Sequence, residues 1–189
     1  MKFCSHCGSS RLEFRIPGGD TLPRQVCAEC GTIHYQNPKV VVGCLPVHDD
    51  LVLLCKRAIE PRLGLWTLPA GFLENGETLA AGAVRETVEE ANARVELGEL
   101  YTVISLPHIS QVYVMFRARL ADLDFGPGPE SLEVRLFTEE DIPWSDLAFR
   151  TIARTLRNYF LDRKLGAFPL HLSAIEKRTA REPALAAAA

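Results

Sequence analysis

The chain lacks any long apolar run. Nowhere do about 18 apolar residues follow one another, so no membrane-spanning helix is expected. Positive charge is also in short supply. Lysine and arginine number 21 against 24 aspartate and glutamate residues, a formal net charge of −3. That balance gives no overall basic field, so a nucleic-acid partner is not expected unless a local patch supplies one. The opening Met1-Lys2-Phe3-Cys4-Ser5-His6-Cys7 has no apolar h-region; a secretory signal is therefore not expected, and a cytoplasmic setting is. Compositional bias is missing before the alanine-rich end. A hydrophobic content of 47% over 189 residues suits one packed domain of ordinary size with a small appendage.

Six cysteines are present, and their spacing argues against three disulfides. Cys4-x2-Cys7 is separated by 19 residues from Cys27-x2-Cys30, which is the pattern of a four-cysteine zinc site. Gly8 and Gly31 each follow the second cysteine of a pair, where a tight knuckle turn favours a residue without Cβ. The competing reading is two unrelated pairs, buried or redox-active. His6 and His34 lie close enough in sequence to substitute as ligands. A Zn²⁺ ion here would be structural, because about 36 residues bury too little apolar surface to hold a fold alone. Cys44 and Cys55 sit in apolar runs and read as small core residues.

Three regions follow: a zinc ribbon over 1–36 with its turn at Pro17-Gly18-Gly19-Asp20, a main domain over 37–170, and an alanine-rich tail over 171–189. In the main domain, Lys39 to Pro46 and Leu51 to Arg57 read as a hairpin, and Leu65 to Leu68 as a short strand. Val95 to Leu106, Gln111 to Leu120 and Glu133 to Thr138 are further strands. Helices are expected over Thr78–Ala91 and Ser145–Lys164. In the second, Leu147, Ile152, Leu156, Tyr159 and Phe160 form an apolar stripe suited to a core or a dimer face. Strand runs with two separated helices fit an α/β/α sandwich around a mixed sheet.

The first helix carries the chemistry. At 3.6 residues per turn, Glu86, Glu89 and Glu90 share an arc of roughly 100°, while Ala80, Val84, Thr87, Val88 and Ala91 take the face expected to bury. Like charges at i,i+4 repel by a few tenths of a kcal/mol. A hard divalent cation reverses that sign, since Mg²⁺ and Mn²⁺ prefer carboxylate oxygens. A solvated face of an amphipathic helix is the plainer alternative.

The intervals Gly71-x5-Glu77-x7-Arg85-Glu86-x2-Glu89-Glu90 resemble the box of the Nudix hydrolase family, G-x5-E-x7-R-E-U-x-E-E-x-G-U with U aliphatic. The chain departs from it at Thr87, at Asn92 in place of the last glycine, and at Ala93. Asn tolerates the left-handed conformation and can end the helix as glycine does. Tyr35-Gln36-Asn37-Pro38-Lys39, the run Gly64 to Gly71 and the run Pro127 to Glu133 are similar to a branch of the family with an N-terminal zinc ribbon. That branch's plant members include a chloroplast FAD pyrophosphatase that also cleaves ADP-ribose. The resemblance implies an α/β/α sandwich with a mixed sheet behind a small zinc ribbon. It further implies Mg²⁺ or Mn²⁺ held by Glu86, Glu89 and Glu90, with the Gly71 carbonyl and Glu130 completing the set. The implied reaction is hydrolysis of the pyrophosphate bond in a dinucleotide or nucleotide sugar, FAD or ADP-ribose foremost, releasing AMP. A homodimer is implied as well.

Several roles keep two readings. Arg85 either locks Glu89 by a charge-assisted hydrogen bond or forms a plain surface pair. Glu77 orients the loop and helix start. Glu130 is favoured over Glu133 at the metal, against a solvated loop acid. Tyr101, Tyr113 and Phe72 offer rings for stacking or core packing, and His108 a phosphate contact or a plain surface side chain. Ser105 to Gln111 lacks the aromatics of the S-Q-P-W-P-F-P-Q-x-S motif of NADH pyrophosphatases, which counts against NADH. The alternative class is a non-catalytic nucleotide-sensing or nucleic-acid-binding module, to which Arg11, Arg15, Arg24 and Lys39 lend some positive charge.

Overall fold

Pro17 to Asp20 reverse the chain as expected. Gly19 takes φ +82°, and the Asp20 N–H donates to the Pro17 carbonyl at 3.1 Å. The Asp20 carboxylate then accepts from the Thr21 and Leu22 N–H groups and from Arg24 Nε. This hairpin joins β1 (Leu12–Arg15) to β2 (Arg24–Cys27), and β3 (Ile33–His34) completes a three-stranded antiparallel sheet. The structure, a computed structural model, describes residues 1–177 and divides at Pro38. Only Cys4, Pro17, Val26 and Cys27 are buried apolar side chains in the first unit, while Phe3, Phe14, Ile16, Leu22 and Tyr35 are exposed. Too little apolar area is removed from water there to hold a fold unaided.

The second unit is built on one mixed sheet. β4 (Lys39–His48) and β5 (Leu51–Arg57) form the expected hairpin, closed by Asp49 at φ 50°, but they pair only near the turn, Val47 with Val52 and His48 with Leu51. Beyond it they part, and β6 (Trp66–Thr67) pairs with β5 while β7 (Ala70–Phe72) pairs with β4. The expected strand over Leu65–Leu68 is thus shorter, and the glycine loop contributes an unexpected strand of its own. β8 (Val95–Leu106), β9 (Gln111–Leu120), β10 (Ser131–Phe137) and β11 (His171–Ala174) give the order β10-β5-β4-β9-β8-β11.

Alternation along β4 and β5 sends side chains to two layers. Leu45, Val52 and Leu54 join Ile152, Leu156, Tyr159 and Phe160 of α2 (Arg150–Leu165). Val42, Cys44, Leu53 and Cys55 face the other way, against Ala83 and Ala91 of α1 (Leu79–Ala91). The sandwich is therefore as expected, and the α2 stripe is core. α2 starts five residues later than its apolar pattern suggested. Leu147 stays extended, bridging Trp66, and the Ala148 N–H donates to the Trp66 carbonyl at 2.8 Å.

Two expectations need correction. His171–Ala174 is not tail but β11, a parallel edge strand beside β8. Its His171 Nε2 and the Tyr101 hydroxyl both lie 2.7 Å from Asp162 Oδ2, a buried polar anchor that sequence periodicity does not reveal. The remaining tail, Arg178 to Ala189, lies outside the described residues. The buried face of α1 is Gly82, Ala83, Glu86, Thr87, Glu90 and Ala91, whereas Val88 is 43% exposed. The helix turns two of its acids inward and an apolar residue outward. No helix among the described residues is long and apolar enough to cross a membrane.

Candidate active site and metal centre

The two cysteine pairs converge. All four Sγ atoms of Cys4, Cys7, Cys27 and Cys30 lie within 4.8 Å of one another, with Cys4–Cys30 at 3.7 Å and Cys7–Cys27 at 3.6 Å. Each pair is wound by the same knuckle: the Gly8 N–H donates to Cys4 O and the Gly31 N–H to Cys27 O, both at 2.9 Å, with positive φ at each glycine. A tetrahedral ion with metal–sulfur bonds of ~2.3 Å sets its sulfurs about 3.8 Å apart, so this donor set fits zinc. His34 is buried outside the group. Cys44 and Cys55 are buried core thiols, and burial pushes the Cys44 pKa up to about 11.

In the second unit a cleft of about 1100 Å³ opens where β4 and β5 part. Gly71, Glu86, Glu89, Glu90 and Glu130 all line it, so the expected acids share one groove. They are not equivalent. Glu90 is 5% exposed and accepts a hydrogen bond from the Ala70 N–H at 3.1 Å. Burial, reinforced by the charges of Glu86 and Glu130, pushes its pKa up to about 8 against the opposing pull of that bond and of Arg57. Burial raises Glu86 as well. Glu89 keeps an exposed side chain.

Arg85 organises the set. It donates to Glu77 at 2.6 and 3.0 Å, to Glu86 and Glu89 at 2.8 Å each, and to the Phe72 carbonyl at 3.2 Å. That is more than a surface pair: one guanidinium ties three acids to the glycine loop. Glu77 also accepts from the Glu74 N–H, and Arg85 holds its pKa below the usual carboxylate range. Among the described residues, only the cysteines bring three or more acidic, histidine or thiol ligand atoms within 4.8 Å of one another.

The glycine of the box has a different job from the one expected. Cys44 N–H to Pro69 O and Leu73 N–H to Val40 O flank the Val42–Gly71 pair, so the ladder turns Gly71's own N–H and carbonyl to β4. Ala70 and Phe72 alternate with it and face the acids. The backbone oxygen on the acidic side is Ala70's, which corrects the expectation for Gly71. A Cβ on Gly71 would overlap the Glu86 carboxylate, which would then have to leave its place beside Arg85. Gly128 allows a second close approach, its α-carbon lying against the backbone of Glu89. That contact delivers the Glu130 loop to the helix end. Glu133 is exposed on β10 and does not line the cleft.

Phe72, Tyr113 and His108 line the cleft; Tyr101 is buried beneath α2 and offers no ring. Sequence reasoning missed Arg57. This side chain is 8% exposed, donates through Nε to Pro61 O, stacks 5.3 Å from Phe149 and forms no direct ion pair among the described residues. A buried cation that faces a cleft, feels Glu90 only at a distance and makes no direct ion pair is suited to an anionic ligand. Its only sequence signal is its place at the end of a strand.

The NUDIX domain model matches residues 37–159, and the model described as Nudix N-terminal, the family's zinc ribbon, matches residues 2–36. A solved NUDIX hydrolase from Nitrosomonas europaea is 64% identical, with a TM-score of 0.90, covering 94% of this chain and 100% of that one. The NAD-capped RNA hydrolase NudC of Stutzerimonas stutzeri is 29% identical over 170 residues, 87% of this chain and 58% of that protein. The chain spans about half the length of the curated relatives it matches. An ADP-ribose pyrophosphatase from Streptococcus suis shares the fold at 20% identity and a TM-score of 0.58, over 72% of this chain and 99% of that one. A family model over most of the chain and a close solved relative, added to the acids in their cleft, establish that this chain belongs to the Nudix hydrolase family.

Proposed function

We propose that the cleft hydrolyses the pyrophosphate bond of a nucleoside diphosphate joined to a second moiety, releasing AMP, with FAD and ADP-ribose the foremost candidates. One observation carries the reading: Glu86 and Glu90 are buried side by side with Glu130 nearby, an arrangement that burial and mutual repulsion disfavour unless a cation joins it. The donors are hard oxygens, the set Mg²⁺ or Mn²⁺ prefers. Glu86, Glu89, Glu90, Glu130 and the Ala70 carbonyl would hold the ion or ions. When bound, these supply neutralising charge for the phosphates and a water of lowered pKa. Arg85 positions Glu86 and Glu89, the Ala70 N–H fixes Glu90, and Arg57 offers a buried positive charge to the phosphates. Zn²⁺ in the ribbon would be structural.

A second substrate reading is favoured by relatives named as NAD-capped RNA hydrolases, and it removes the ground for setting nucleic acid aside. FAD, ADP-ribose and an NAD cap share an AMP half linked through pyrophosphate. Against a purely binding role for the ribbon, its arginines are all paired: Arg11 with Glu29, Arg15 with Glu13, Arg24 with Asp20. The test incubates the full chain and Glu90→Gln with Mg²⁺ and FAD, ADP-ribose, NADH or NAD-capped RNA. Turnover of at least one by the wild type alone is expected. Equal, negligible turnover on every member would leave a nucleotide sensor.

A further inference from the structure

The exposed face of α2 carries charge of one sign. Five of its 16 residues are arginine or lysine, and its single acid, Asp162, is buried against Tyr101 and His171. Arg163 and Lys164 are paired, with Asp50 and Glu139. Arg150, Arg154 and Arg157 form no ion pair among the described residues. Arg150 donates instead to the Glu176 carbonyl at 3.2 Å and Arg154 to the Ala174 carbonyl at 2.9 Å, while Arg157 lies 5.5 Å from the centre of the Trp144 ring. A neutral carbonyl or a ring fixes a guanidinium without cancelling its charge, and leaves most of its five donors free.

These three arginines continue the cleft. At 100° per residue they share an arc of about 60° and reach about 10 Å along the helix. Arg150 lines the cleft, and so does Ile175, which stands between the two residues whose carbonyls Arg150 and Arg154 hold. Arg57 is buried, whereas Arg150 at the mouth and Arg157 beyond it are exposed. Positive charge therefore runs from inside the cleft out over the surface, on a chain whose formal charge is −3. A ligand confined to the cleft would meet Arg57 and Arg150 and never the outer two. A strand whose phosphates continue past the cleft would meet them all.

We propose that Arg154 and Arg157, reached past Arg150, form a docking track for the sugar-phosphate backbone of a single-stranded RNA whose first nucleotide occupies the cleft. This deepens the capped-RNA reading and rests on it for the identity of the ligand, but its test needs no turnover. The contacts are to phosphate, so the track holds the strand whatever its sequence and loosens with salt.

The experiment measures binding of a short single-stranded RNA with a 5′-phosphorylated adenosine, by fluorescence anisotropy, to the full chain with zinc retained and no divalent ion added. AMP binding, by calorimetry, is the reference. Arg154→Ala combined with Arg157→Ala should weaken RNA binding about tenfold and make the slope of log affinity against log salt shallower by about 1.4, for two single-strand contacts at ~0.7 each. AMP, too short to reach either residue, should bind wild type and variant alike. Arg154→Lys with Arg157→Lys keeps both charges and should restore most of the RNA affinity. Arg94→Ala with Arg119→Ala removes as much charge where β8 starts and β9 ends, away from Leu106 and Gln111 in the cleft, and should leave RNA binding as it is. Thermal melts confirm that each variant is folded. An equal loss in that last variant would reduce the effect to net charge, and no loss in the first would leave the arginines without a role; both outcomes overturn the proposal. Binding to phosphatidylserine vesicles with none to RNA would make α2 a lipid-facing helix and overturn it too. RNA held along the track with no substrate turned over would overturn the hydrolase reading and leave the track standing.

Discussion

The ribbon and the cleft both gather ligand atoms, and they do so in opposite ways. In the ribbon, two knuckles of a few residues each bring four sulfurs within 4.8 Å, and almost nothing else in that unit is buried. In the cleft, a core places the acids first, and Arg85 and the Ala70 N–H then hold them by separate bonds. A metal in the ribbon would complete the fold; a metal in the cleft would complete only a reaction. The difference is one of which energy term dominates: closure of a small chain in the first case, compensation of buried like charge in the second.

The largest expected effect would break that comparison outright. Cys27→Ser, or zinc chelation, should unfold residues 1–38, because structural zinc contributes about 10–16 kcal/mol in small domains of this kind. Hydrogen exchange would show protection lost there and kept across β4, β5 and β9. Loss across both units together would mean that the ribbon supports the main fold.

Glu90→Gln should do the reverse, lowering kcat by roughly 10³-fold while leaving the fold intact. The variant keeps an acceptor for the Ala70 N–H and cannot ionise, so without added divalent ions its stability should rise relative to wild type above about pH 4.5. The pH dependence has a definite sign. Glu90's pKa is raised in the folded state from 4.5 to about 8, so the folded protein binds the proton more tightly than the unfolded chain. Its contribution to stability is complete below about pH 4.5 and is lost as pH rises through about 8. Thermal melts across that window should show a falling trend in wild type that Mg²⁺ or Glu90→Gln flattens. Identical slopes in both proteins would remove the buried-charge account of the cleft.

What was legible in the sequence follows the same division. The cysteine spacing and the box intervals are local, and both could be read directly. The departures from the box are instructive. Thr87 donates its hydroxyl to the Ala83 carbonyl at 2.8 Å and so satisfies itself inside the buried face. Asn92 does take the left-handed conformation, at φ 48°, as a glycine would. Its amide then donates to the carbonyls of Gly126 and Pro127, which tethers the Glu130 loop in a way that glycine could not. Less legible was anything set by long-range register. That Ala70 and not Gly71 turns its carbonyl to the acids depends on which residue of β4 lies opposite. Periodicity placed Val88 inside, whereas the acids went in, because the groove side of α1 needs carboxylates more than the core needs another valine.

Two smaller changes sharpen the account of how the acids are held. Gly128→Ala forces a Cβ into the Glu89 carbonyl, a backbone contact that cannot swing away, and should cost about 1–3 kcal/mol of stability in a denaturant melt. A neutral result would mean that the loop is free to move off the helix end.

The smallest effect is expected from Asn92→Gly, which restores the family's residue. Glycine relieves the left-handed backbone, while the loss of two exposed hydrogen bonds works against it, so the net change in stability should stay within about 1 kcal/mol. Activity should still fall a few-fold, because the Glu130 loop loses its side-chain tether to α1 and keeps only the backbone bonds of Gly126 and Gly128 to it, and the deficit should appear in kcat more than in KM. A change in stability with kcat untouched would show that Asn92 serves only as a helix cap. The Glu130 loop would then be positioned by the Gly126 and Gly128 N–H bonds to the Ala91 and Glu90 carbonyls and by the Ala58 N–H bond to the Glu130 carbonyl.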